Sequence, residues 1–272
     1  MDSINLPLVY TYVTRVGDRR GLITHLAHGW IPLIVVLNIV YFSHVWLTLI
    51  MLIGLQSLYE CGYLINDTAD SAVEPGGNRL NDRRIDLAKF WSLRLLVFMV
   101  VAVVLLMERG IRFAVEFAVP SVLVFAVLWW HTTRRPRRFR YLRIWTFAIL
   151  AIYKFSPAVL PQIPLADAQL LLLALFLCSG VERIVFYTLE KFGEAVDDVG
   201  GRADRELVKL ADITLIIFAP LLISTHWSIA YRKASCILWL WYASIALLRR
   251  CMPRASTALG KKVRESTLPV RL

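Results

Sequence analysis

Charge is scarce in this 272-residue chain, at 19% of residues, and its four cysteines show no paired spacing. Cys61, Cys178 and Cys236 lie in apolar stretches and Cys251 just past the last one. They read most simply as buried small hydrophobes in a reducing setting, and the spacing speaks against a zinc site, whose ligands come at short intervals. The histidines His25, His28, His44, His131 and His226 form no i, i+4 metal pair. Gly76-Gly77 and Gly200-Gly201 are turn formers outside any P-loop or dinucleotide fingerprint, and no Ser-His-Asp pattern is present. No long linker, repeat or low-complexity tract divides the chain, so residues 1–272 read as one domain. The first 20 residues lack the apolar core of a cleavable signal peptide.

What the chain has in quantity is apolar surface. Hydrophobic residues make up 58%, mean hydropathy is +0.59, and there are nine tryptophans, far from the norms of soluble domains. Apolar runs of spanning length predict an all-α, polytopic membrane bundle of about eight helices. They fall at roughly 24–43, 46–66, 90–107, 112–130, 143–160, 168–189, 207–224 and 233–249. A polar arm over 1–22 precedes them, and a basic tail over 250–272 follows.

The basic residues set the expected orientation. The arm carries three Lys or Arg, the loop 67–89 four, the loop 131–143 six, the loop 190–209 four and the tail seven. On the opposite face stand only Arg109, Arg112, Arg232 and Lys233. By the positive-inside rule the crowded face is cytoplasmic, and both termini are on it. The expected location is a bacterial inner (plasma) membrane. The net charge of +11 then reflects topology and contact with anionic lipid. It does not point to nucleic acid, because the run from Arg134 to Arg143 lacks interleaved stacking aromatics.

Two acidic clusters share that face. In the first, Asn66-Asp67-Thr68-Ala69-Asp70-Ser71-Ala72-Val73-Glu74, three carboxylates at i, i+3 and i+7 lie on one side of a helix. In the second, Glu190, Glu194, Asp197 and Asp198 follow an apolar segment. Carboxylates crowded at the mouth of a membrane helix repel one another unless a divalent cation sits among them, and hard oxygen donors suit Mg²⁺. The plainer reading of both clusters is a solvated loop. Glu60 lies inside the second span, seven residues before Asp67; it is either a functional intramembrane carboxylate or a structural one, protonated or paired with an arginine. Arg94, Lys154 and Glu182–Arg183 are explained by pairing or snorkelling.

The two clusters resemble the signatures of the UbiA superfamily of intramembrane prenyltransferases. The first follows the pattern Asn-Asp-x-x-Asp-x-x-x-Asp, with Glu74 in its last place. Arg79 matches the arginine that usually follows, although Leu80 stands where a proline is expected. The second, Glu194-x-x-x-Asp198 with Asp197 beside it, departs from Asp-x-x-x-Asp by one residue. Nine helices are usual in that family against the eight counted here.

The resemblance implies a Mg²⁺-dependent transferase moving an isoprenyl group from a prenyl diphosphate to a lipid-soluble acceptor. Asn66, Asp67, Asp70, Glu74, Glu194, Asp197 and Asp198 would hold the metal, with Asp67, Asp70 and Asp198 as the catalytic set. Arg79, Lys191 and Arg202 would grip phosphate oxygens. Tyr63 and Tyr187 would face the cation left when diphosphate departs. A second branch of the superfamily transfers phosphoribose from phosphoribosyl diphosphate to a polyprenyl phosphate, and Lys191-Phe192-Gly193-Glu194 is loosely similar to its motif. A terpene cyclase of the same type would need only the prenyl diphosphate. A reading from another class is a non-catalytic ion-binding protein or transporter, against which the basic residues beside the acids argue.

Overall fold

The computed structural model describes residues 3–16, 19–70, 85–133, 140–181, 184 and 228–251. Among them the regular elements are all helical, with no strand. Helix α1 spans Arg19–Ala27, α2 Trp30–Tyr41, α3 Val45–Asp70, α4 Leu87–Arg109, α5 Ile111–Thr133 and α6 Arg140–Tyr153. Then come α7 (Ser156–Val159), α8 (Leu165–Leu175), a π turn over Phe176–Gly180, and α9 (Ile229–Cys251).

Among the described residues, three helices have the length and apolarity to cross a membrane: Val45–Thr68, Leu87–Arg109 and Ile111–Thr132. Of the other expected spans, three break or change geometry for local reasons. The range 24–43 breaks between α1 and α2, and 143–160 breaks at Lys154 between α6 and α7. The range 168–189 passes from α to π geometry at Phe176, and 207–224 lies outside the described residues. The last range forms the full-length α9, whose apolar stretch is bounded by Arg232-Lys233 and Arg249-Arg250.

Helix α3 is the centre of the bundle. Of its apolar window 67% is buried, against 28% for α4 and for α5. The two outer helices turn Leu95, Leu96, Met99, Val103, Val119 and Leu123 outward, each about half exposed. Apolar faces of that extent are suited to hydrocarbon surroundings. Hydroxyls within the helices return to the carbonyl one turn back, as Ser57 does to Ile53 (2.9 Å) and Ser121 to Phe117 (2.8 Å). No polar group is thereby left to the apolar exterior at those points.

The Asp86 carboxylate caps α4 by accepting from the Lys89 amide at 3.0 Å. At its far end α4 meets α5 through Gly110 alone, at φ +85°, a conformation that L side chains rarely adopt. A single linking residue forces α4 and α5 to run antiparallel. The ends of α3 at Asp70, α4 at Leu87 and α5 at Thr133 therefore share one side of the bundle, opposite Gly110.

Close approach of α3 to α5 depends on Gly62. A Cβ there would lie 2.3 Å from Leu128 Cδ2 and 2.6 Å from its Cγ. Gly62→Val should destabilise the protein by about 1–3 kcal/mol, the usual cost of overpacking. Adding Leu128→Ala should return part of that loss, so thermal unfolding of the double variant in detergent should be milder than the sum of the singles.

The first and last described helices meet. On α9, Trp241 Nε1 donates to the Ala27 carbonyl at 2.8 Å and Tyr242 Oη to the His28 carbonyl at 3.1 Å. Both carbonyls lie where α1 gives way to α2.

Residues 3–16, part of the arm read from the sequence, fold back onto the bundle. They form a 3₁₀ turn at Ser3–Asn5, a single helical turn at Val9–Thr11 and a π turn at Tyr12–Val16. Ile4 and Tyr10 are buried with Cys61, Leu64 and Phe90 in a satellite core beside α3 and α4. Leu8, just before the helical turn, is left-handed at φ +69°. For a leucine that costs about 1–2 kcal/mol, so other contacts must hold it.

Candidate functional site

The contacts that hold Leu8 converge on Glu60. Its Oε2 accepts from the Leu8 amide (3.1 Å) and from Arg94 Nε (3.0 Å), with Arg94 Nη2 at 2.9 Å. Its Oε1 accepts from the Thr11 amide (2.9 Å) and the Thr11 hydroxyl (2.8 Å), and Gln56 Nε2 donates to that same hydroxyl at 2.8 Å. Arg94 then reaches the arm directly, donating to the carbonyls of Asn5 (2.6 Å) and Leu6 (3.0 Å). Its guanidinium carbon lies 3.3 Å from the centroid of the Phe90 ring. Glu60 and Arg94 are both fully buried. Of the two readings of Glu60, the structure supports the arginine-paired, structural one, and it resolves Arg94 as pairing.

One face of α3 leads from this pair to the acidic motif. Seven residues on from Glu60, two helical turns, stands Asp67, 1% exposed, whose Oδ2 accepts from the Tyr10 hydroxyl at 2.6 Å. Tyr10 is itself buried and packs edge-on against Phe90, with ring centroids 5.2 Å apart. Tyr59 and Tyr63 form a second edge-on pair at 5.3 Å. At i, i+4 and i+8, Tyr59, Tyr63 and Asp67 make an aromatic row that ends at a carboxylate. Asn66 is half-buried beside it, and Asp70 is the last residue of α3.

The structure thus places Tyr63, Asn66, Asp67 and Asp70 at one end of the central helix. Glu74, Arg79, Tyr187, Glu190, Lys191, Glu194, Asp197, Asp198 and Arg202 lie outside the described residues. Among the described residues no three His, Cys, Asp or Glu side chains come together as a metal-holding group. The donors at this end are nonetheless of the kind a hard divalent cation takes, amide and carboxylate oxygens.

Sequence reasoning missed Tyr10, Thr11 and Gln56. A usable signal was the pair of opposite charges, Glu60 and Arg94, midway along adjacent spans, which had to meet. Nothing in the arm marked Tyr10 as their neighbour.

At the far end of α3 a cleft of about 310 Å³ opens, lined in part by Tyr41, His44, Arg109, Phe113 and Gln162. Gln162 is tied to α3 by the Thr48 hydroxyl at 3.1 Å. The lining carries Arg109 and no carboxylate. Asp67 and Asp70 of the acidic motif stand at the other end of α3.

No family model, curated protein or solved structure matches this chain.

Proposed function

We propose that this chain is an integral membrane transferase of UbiA type, with about eight spans and its acidic loops and termini on the cytoplasmic face. It would move an isoprenyl group from a prenyl diphosphate to a lipid-soluble acceptor. The observation that carries this reading is Asp67, a buried carboxylate gripped by a tyrosine at the end of the central helix, next to the Tyr59–Tyr63 row. A carboxylate that is only solvated has no reason to be buried and held.

The residues have separable tasks. Asn66, Asp67, Asp70 and Glu74, with Glu194, Asp197 and Asp198 from the second cluster, would hold the metal. Mg²⁺ bound there would neutralise charge developing on the departing diphosphate. Arg79, Lys191 and Arg202 would grip its phosphate oxygens. The bond between the donor's first carbon and the bridging oxygen breaks, and its electron pair leaves with diphosphate. A nucleophilic pair on the acceptor forms the new bond to that carbon, and the acceptor gives up a proton. Tyr59, Tyr63 and Tyr187 would present ring faces to the positive carbon, while apolar helix walls exclude water.

A second reading keeps the leaving group and changes the donor to phosphoribosyl diphosphate. It is favoured by Lys191, Arg202 and Arg205, which supply more positive charge than one metal-bound diphosphate needs. One experiment decides among the donors. Purified protein with Mg²⁺ is offered prenyl diphosphates and phosphoribosyl diphosphate in parallel, and diphosphate release is followed. Release from a prenyl donor, abolished by EDTA and restored by Mg²⁺ or Mn²⁺, is the expected result. Release from the sugar donor alone moves the assignment to the pentosyl branch. Release from neither leaves an ion-binding protein as the reading.

A further inference from the structure

We propose that Tyr10 is a positioning residue for the metal–diphosphate site, its hydroxyl fixing the Asp67 carboxylate from a segment docked on Glu60 and Arg94. The inference rests on the metal reading above and assigns the arm a part in it.

Three observations lead there. The Tyr10–Asp67 hydrogen bond joins residues 57 apart in sequence, is 2.6 Å long and is buried. A phenol O–H donated to a carboxylate at that distance is a strong, charge-assisted bond. It also fixes which way the carboxylate plane faces, as outer-shell partners of metal ligands generally do. Second, Tyr10 has almost no freedom of its own. Its ring packs edge-on against Phe90, and Thr11, the next residue, donates twice to Glu60. The segment is therefore a rigid mount. Third, that mount is assembled at some cost, since it holds Leu8 left-handed and buries a complete ion pair. Docking an arm on an apolar bundle needs neither; the satellite core of Ile4, Tyr10, Leu64 and Phe90 would serve. The polar network does what apolar packing cannot, because it sets the register of residues 8–11 along α3 and so the height of the Tyr10 hydroxyl.

The test is the binding of Mn²⁺ with inorganic diphosphate to the full chain, read by electron paramagnetic resonance without turnover. Tyr10→Phe keeps the ring on Phe90 and removes only the hydroxyl. Its Mn²⁺ affinity should fall by about 10–100-fold, the scale seen when an outer-shell partner is lost. Thr11→Val, which loosens the mount but leaves the Tyr10 hydroxyl, should lower the melting temperature and weaken Mn²⁺ binding by less than Tyr10→Phe does. In the unmodified protein, Mn²⁺ with diphosphate should slow amide hydrogen exchange across residues 8–14, a measurement that needs no variant.

Equal or tighter Mn²⁺ binding by Tyr10→Phe, where Asp67→Asn loses it, overturns the role of Tyr10 and leaves the proposed function standing. Unaltered exchange at residues 8–14 on binding also overturns it. If the unmodified protein binds no Mn²⁺, the role and the metal reading fall together.

Discussion

Asp67→Asn should lower Mg²⁺-dependent diphosphate release by about 10²-fold or more, because it removes one negative charge from the proposed metal site, whose cation would neutralise the leaving group. The substitution isolates charge from shape. Asparagine has nearly the same outline, and its amide oxygen can still accept from the Tyr10 hydroxyl that now reaches Oδ2 at 2.6 Å. The melting temperature should therefore change little while turnover collapses. Asp70→Asn, at the end of the same helix, should behave alike. Unchanged turnover in both variants would sink the enzyme reading and return the cluster to a solvated loop end. A parallel fall in melting temperature and turnover would instead make Asp67 a structural anchor for the arm.

The second large effect is on stability. Arg94→Leu should destabilise the fold by about 3–5 kcal/mol, the cost of leaving one partner of a buried ion pair behind. It strips Glu60 of its cation and takes the donors from the Asn5 and Leu6 carbonyls in one change. Replacing both charges by apolar residues often restores stability in buried pairs. Here it should not do so fully, because the amides of Leu8 and Thr11 also end on Glu60 and would be orphaned. Thermal unfolding of Arg94→Leu, Glu60→Leu and the double variant in micelles measures this directly. Limited proteolysis within residues 3–16 should rise in all three. An unshifted melting temperature for Arg94→Leu would mean that the satellite core alone docks the arm.

These two residues also show what the sequence could and could not reveal. Apolar runs located α3, α4 and α5 to within a few residues, because spanning length and hydropathy act through composition alone. They overestimated continuity at 24–43 and 143–160. There the chain breaks at Ala27–Gly29 and at Lys154, and packing decided the outcome: Gly29 lies beneath Phe155, and α9 supplies donors to the Ala27 and His28 carbonyls. The end of α3 stood out as a candidate site from the spacing of Asp67, Asp70 and Glu74. Tyr10 was not, because a contact across 57 residues leaves no periodic trace. Glu60 stood between these cases, visibly anomalous in an apolar helix yet silent about which residues of the arm it holds.

The hold of α9 on the break between α1 and α2 bears on how the chain is made. The Ala27 and His28 carbonyls receive their donors from residues 214 positions later. During synthesis α1 and α2 leave the ribosome long before Trp241 and Tyr242 exist, so the break between them stays without those two donors until then. The two hydrogen bonds that tie α9 to that break can therefore form only after α9 has been made. A chain halted before residue 241 would lack both of these donors at a break near its start, and so the tie between its two distant ends.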